Sequence, residues 1–302
     1  MLAIQKRVLP KDHPDTLLSM NNLANSYEAL NRHADALKLR EETLAIQKRV
    51  LPKDHPDTLR SMHNLANSYA ALNRPTDALK LCEEVLAIMK RVLPKDHPHT
   101  LLSMNNLAGS YAALNRHADA LKLLEETLAI QKRVLPKDHP DTLTSMVNLA
   151  DSLIQLDRGV EALPLLDESI AKARTSPAVD PRLIPIAFGL RGKHFQKTGD
   201  PAGCRATAEM WEKLNRTDVD GLYNAACFRA VTAGVQAKTP GADAARLAKD
   251  DADRAMQWLH KAVQAGYKDA AHMKKDTDLD PLRDREDFKK LMAALEKGAE
   301  KK

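Results

Sequence analysis

Sixteen consecutive residues, LAIQKRVLPKDHPDTL, begin at Leu2 and recur unchanged at Leu44 and Leu128; at Leu86 they return with Met89 for Gln and His99 for Asp. The interval is 42 residues each time. A fixed period of that size builds a stacked array, because one unit cannot bury its apolar face alone and lays it on its neighbours. Composition agrees: 43% hydrophobic and 29% charged residues supply both a core and a solvated surface. Aromatics at 4% and only 11 glycines weigh against a β-sandwich or a glycine-loop nucleotide fold. No run of about 18 apolar residues occurs, so no membrane-spanning helix is expected.

Each unit divides into two helices. In the first unit one is expected from Pro14 to Leu30 and the other from Ala34 to Leu51. Pro14 fits a first helical turn, and Asp12 or His13 can cap it. Asn31 tolerates the left-handed conformation of a tight turn, and Asn73, Asn115 and Asp157 stand at the equivalent places. The second helix must stop before Pro52, with Lys48 and Arg49 in its last turns, where the dipole favours cations.

Leu23, Ala24, Tyr27 and Ala36, repeated as Leu65, Ala66, Tyr69, Ala78 and as Leu107, Ala108, Tyr111, Ala120, resemble the signature of the tetratricopeptide repeat. The fourth unit keeps Leu149, Ala150 and Ala162 but has Leu153 for Tyr. The long period, with NNLA in the first helix and KDHP before it, is similar to the kinesin-light-chain variety. That resemblance implies an all-α, right-handed α–α superhelix. Residues 1–11 read as the tail of a partial repeat, so the chain starts inside a repeat, as a truncated polypeptide would. Residues 12–169 read as four units, 170–214 as a degenerate unit in which Pro185 marks a late helix start, and 215–302 as a helical C-terminal cap. Residues 222–295 resemble the tail of repeat-bearing bacterial serine/threonine kinases. No HRD, DFG or glycine-rich kinase loop is present, so the chain itself is not expected to be a kinase.

With Tyr27 as position 11 and 100° per residue, Met20, Leu23, Ala24 and Tyr27 form the core stripe. Positions 2, 5, 6, 9, 12 and 13 fall opposite, on the face that lines the inner surface in the family it resembles. Position 6 is Asn22, Asn64, Asn106 and Asn148, whereas position 5 runs Asn21, His63, Asn105, Val147. A carboxamide both donates and accepts. Four in a row can satisfy the backbone of an extended peptide, with varied neighbours supplying selectivity. The expected peptide contacts are Asn22, Asn25, Arg60, His63, Asn64, Asn67, Asn105, Asn106, Asn148 and Asp151. Arg60 and His63 are the candidate anchors for an acidic group. A second reading takes position 6 as a structural consensus residue, with exposed positions drifting.

Other patterns point elsewhere. His13, His55, His97 and His139 recur once per unit and are too far apart to share a metal; they read as helix-start residues. Lys6-Arg7, Lys48-Arg49, Lys90-Arg91 and Lys132-Arg133 alternate with acidic pairs such as Glu41-Glu42 and read as a salt-bridged surface. With a net charge of only +5, no nucleic-acid partner is expected. Asp276, Asp278, Asp280, Asp284 and Asp287 follow calcium-loop offsets, but Pro281 stands where that loop needs glycine; capping and turn roles fit better. Cys82, Cys204 and Cys227 form no CxxC pair and read as buried small hydrophobes in a reducing compartment. Residues 1–10 lack a secretory signal, so a cytoplasmic location is expected. The sequence therefore points to a non-catalytic scaffold without cofactor or metal, binding a protein or peptide in its groove. The kinase-tail resemblance implies a setting for it, the C-terminal part of a signalling protein such as a serine/threonine kinase. Self-association through an apolar N-terminal edge, as a structural module, is the alternative.

Overall fold

The computed structural model describes residues 8–176 and 178–299. The segment 1–7, which carries most of the expected partial repeat and its apolar edge, lies outside the described residues. All regular structure among the described residues is helical. Four helix pairs come first: α1 (Pro14–Ala29) and α2 (His33–Val50), α3 (Pro56–Ala71) and α4 (Pro75–Val92), α5 (Pro98–Ala113) and α6 (His117–Val134), α7 (Pro140–Gln155) and α8 (Gly159–Ala173). From α1 to α6 each helix packs on the next, so each of the first three pairs is also joined to the first helix of the pair that follows.

The sequence signals act as expected at each start and turn. His13, His55, His97 and His139 are N-caps, and the Nδ1 of each accepts the backbone N–H two residues on, at 3.2 Å. Asn31, Asn73, Asn115 and Asp157 adopt φ between 56° and 61°. That left-handed step lets Arg32 donate its backbone N–H to the Tyr27 carbonyl at 2.8 Å and lays its guanidinium 4.4 Å from the centre of the Tyr27 ring. Arg74 on Tyr69 and Arg116 on Tyr111 repeat the arrangement. Leu153 in the fourth unit removes that ring but leaves the turn, since Arg158 still donates to its carbonyl. The alanines Ala24, Ala66, Ala108 and Ala150 are buried, and so are Met20, Met62, Met104 and Met146. Burying each methionine stabilises the stack by about 1.5–3 kcal/mol. Lys48 reaches Glu84 of the next unit at 3.2 Å, and within the second unit Arg91 reaches Asp54 at 3.9 Å, two pairs of a salt-bridged surface.

The chain divides into two compact units, Met1–Leu165 and Leu166–Lys302. The second contains α9 (Leu183–Thr198), α10 (Pro201–Glu212), α11 (Val219–Ala237), α12 (Ala244–Gln264), the short α13 (Ala270–Lys275), a 3-10 segment (Thr277–Leu282) and α14 (Glu286–Ala299). Helix α9 starts at Leu183, two residues before the Pro185 expected to mark it; proline is accommodated anywhere in a first turn, where its missing N–H has no partner to lose. Asp276 caps the 3-10 segment, Asp280 pairs with Arg283 and Asp287 with Arg285, so these aspartates serve as caps and ion-pair partners. Gly234 allows α11 to meet that segment: a Cβ there would stand 2.6 Å from Pro281. The core of the unit forms where α11 and α12 face each other, around Leu222, Ala226, Met256 and Leu259. Arg229, 2% exposed, pairs within it with Glu212 and Asp251.

Candidate peptide-binding face of the first helices

The first helices of successive units leave clefts where they meet. One of about 400 Å³ lies between α3 and α5. Helix α3 lines it with Pro56, Arg60, His63, Asn64 and Asn67, α4 with Met89, and α5 with His99, Leu102 and Asn106. Five of the ten residues expected to touch a peptide are thus brought to one place. Met89, His99 and Leu102 were not among the expected contacts. The signal that marks two of them is the set of departures from the repeating segment: Met89 and His99 are those departures, and both face this cleft.

The preceding gap holds a cleft of about 440 Å³ lined by residues one period earlier, including Leu18, Asn21, Gln47, Asp57 and Arg60. Its polarity differs. Asp57 occupies the place of His99, and Gln47 that of Met89. The α3–α5 cleft therefore exchanges a carboxylate for an imidazole and an amide for a thioether.

His63 is held by an ordered relay. The Asn106 amide donates to its Nδ1 at 3.0 Å, its Nε2 donates to Ser103 Oγ at 3.1 Å, and Ser103 donates to the His99 carbonyl at 2.8 Å. This sequence requires the neutral ring with its proton on Nε2. Burial first, and the neighbouring His99 second, hold the ring below the usual histidine pKa. Arg60 is exposed and pairs with Asp57 at 2.7 Å.

The remaining expected contacts are distributed. Asn22 and Asn67 are exposed, and Asn64, Asn106 and Asn148 are half-buried. Asn25 accepts from Arg40 at 3.0 Å, and the half-buried Asp151 accepts from Gln155 at 3.1 Å. Asn105 departs from expectation. It is buried, its amide donates to Ser145 Oγ at 2.8 Å, and that hydroxyl donates back to its Oδ1 at 3.0 Å. Asn21 donates likewise to Ser61 at 3.3 Å. Position 5 thus lies in the seam between units, because a first helix is flanked by helices of both neighbouring pairs and its buried arc is wider than one core stripe. His63 takes part in both seam and cleft.

The model of the family described as Tetratricopeptide repeat matches residues 2–49, 15–91, 57–133 and 100–175. The chain belongs to the tetratricopeptide repeat family. Among solved structures, this tetratricopeptide chain is similar to a Podosopora anserina protein of nearly identical TPR-like repeats, described as a kinesin light chain. A point-substituted form of that protein is 30% identical, with 74% of this chain and 98% of that one covered and a TM-score of 0.56. The chain shares its fold with BtubC (BKLC) from P. vanneervenii, at 16% identity, 80% and 90% coverage and a TM-score of 0.58. It also shares it with a Rap protein solved in complex with Competence and Sporulation Factor, at 12% identity, 86% and 67% coverage and a TM-score of 0.51. No curated protein matched. None of these matches bears on the resemblance of residues 222–295 to kinase tails. No described helix is long and apolar enough to cross a membrane.

Proposed function

We propose that this tetratricopeptide chain is a non-catalytic scaffold that holds a peptide segment along the open faces of α1, α3, α5 and α7, anchored in the α3–α5 cleft. Repeat arrays bind through such extended surfaces. The observation that carries the reading is the convergence of Arg60, His63, Asn64, Asn67 and Asn106 on one cleft with the apolar Leu102 and Met89. The amides meet peptide backbone, the apolar wall takes one side chain, and Arg60 with His63 receives an acidic one. Asn22, Asn25, Asn148 and Asp151 extend the row to either side; Asn105 is left to the seam.

A peptide-library pull-down with the full chain tests this. Asn64→Ala combined with Asn106→Ala is expected to lose the selected peptides, and Arg60→Ala to lose those that carry an acidic residue. Undiminished binding by both variants would refute the reading. The resemblance of residues 222–295 extends it to a setting, a scaffold appended to a serine/threonine kinase; sequence encoded upstream tests that extension. Self-association through the N-terminal edge concerns residues outside the described ones. Light scattering of this chain beside an upstream-extended one tests it.

A further inference from the structure

The second unit holds a cluster that sequence spacing did not join. Cys227 on α11 comes together with Asp276 and Asp278 at the head of the 3-10 segment, and one ligand atom from each lies within 4.8 Å of the others. They face a cavity of about 730 Å³. Cys227 Sγ is 3.6 Å from Asp276 Oδ2, and His272 Nε2 is 3.8 Å from the same oxygen.

Those separations are informative. With metal–oxygen and metal–nitrogen bonds of about 2.0–2.2 Å and a metal–sulfur bond of about 2.3 Å, tetrahedral ligands stand roughly 3.3–3.8 Å apart. The carboxylate is already oriented. Tyr223 donates to Asp276 Oδ2 at 2.7 Å, the Asp278 backbone N–H donates to Oδ1 at 3.0 Å, and Arg283 donates to the Asp276 carbonyl at 2.8 Å. Metal-binding carboxylates are held in this way by outer partners.

Two further observations point to a ligand. The Tyr267 side chain lines the cavity and is 9% exposed, yet its hydroxyl has no partner in good hydrogen-bond geometry. The neighbouring Tyr223 has already given its proton to Asp276. The cavity is also anionic: Asp220, Asp269, Asp276 and Asp278 line it, and the guanidinium of its one lining arginine, Arg182, pairs with Asp180 at 2.7 Å.

The geometry points to a zinc-binding site formed by Cys227, Asp276 and Asp278, with His272 turning in as fourth ligand. A thiolate beside carboxylate and imidazole selects a borderline-soft ion over calcium or magnesium, which take oxygen alone. The thiol binds as thiolate and releases its proton to bulk water. The ion ties α11 to the 3-10 segment and braces the end of the unit. This site is independent of peptide binding in the first unit.

Cobalt(II) titration of the chelator-stripped, reduced full chain tests it. One equivalent is expected to give intense visible bands of a four-coordinate ion and a near-ultraviolet thiolate-to-cobalt band, both displaced by zinc. The Cys82→Ser/Cys204→Ser double variant keeps the thiolate band, and Cys227→Ser removes it. Tyr223→Phe retains it with affinity reduced about 10- to 100-fold. Absence of a thiolate band in the wild type overturns the assignment without recourse to any variant. So does its loss from the double variant while circular dichroism shows the fold intact, or its survival in Cys227→Ser.

Discussion

Arg40 is 6% exposed, a costly place for a guanidinium unless it is paired. Its Nη1 meets Glu28 at 2.9 Å and also bonds Ser68 of the next unit, and its Nη2 donates to Asn25 at 3.0 Å. Other units solve the same position without charge: Cys82 and Leu124 stand one and two periods on, opposite Ala70 and Ala112 rather than a glutamate. Glu28→Ala removes the counter-ion and leaves the guanidinium among neutral acceptors. Breaking a fully buried pair costs about 3–5 kcal/mol. The Glu28 side chain keeps 29% exposure, so water offsets part of the loss and about 2–3 kcal/mol is expected. Adding Arg40→Leu recreates the Ala112–Leu124 pairing of the third unit, and the double variant is expected within about 1 kcal/mol of wild type or above it. Repeat arrays open piecewise, so the readout is amide hydrogen exchange in α1, α2 and α3 rather than one global midpoint. A single variant indistinguishable from wild type, or a double variant as unstable as Glu28→Ala, would refute the reasoning.

Replacing the His55 cap by Ala is expected to cost about 1 kcal/mol, whereas His55→Asp keeps most of it, measured by the same exchange in α3. Gly234→Ala forces Pro281 away and is expected to destabilise the second unit by about 1–3 kcal/mol, read by urea unfolding followed through tryptophan fluorescence. Two pH windows are expected. The folded-state pKa of His63 is lowered, so the unfolded chain takes its proton first, and stability of the first unit falls as pH drops below about 6.5; His63→Gln removes that step. Burial alone would raise the Glu212 carboxyl, but hydrogen bonds from Arg229 and Trp258 outweigh it and hold it low. Its stabilisation is full above about pH 4.3 and is lost as pH falls through the folded-state value, which melts of Glu212→Gln against pH will show.

The helix pairs, left-handed Asn turns and His caps were legible because each depends on residues close in sequence. The cleft was half legible. A wheel drawn for one helix orders its faces relative to one stripe, and it cannot see that Asn105 meets Ser145 across a neighbour. The constant serine at position 3, facing Asn or His at position 5 of the preceding unit, was the overlooked signal. Arg40 was marked too: it and Glu28 depart from the repeat together. Cys227 and Asp276 carry no such mark, because they lie outside the periodic region and only the docking of the 3-10 segment on α11 joins them.

The seam has a consequence for how such an array can change. Ser61, Ser103 and Ser145 offer the same hydroxyl to the unit before them, so excising residues 44–85 would set Asn21 against Ser103 with the chemistry it now finds at Ser61. Copy number can then rise or fall by whole modules without redesigning a joint. What is gained or lost with a module is its lettering, Arg60 and His63 in this instance, so reach and selectivity are adjusted by separate kinds of mutation.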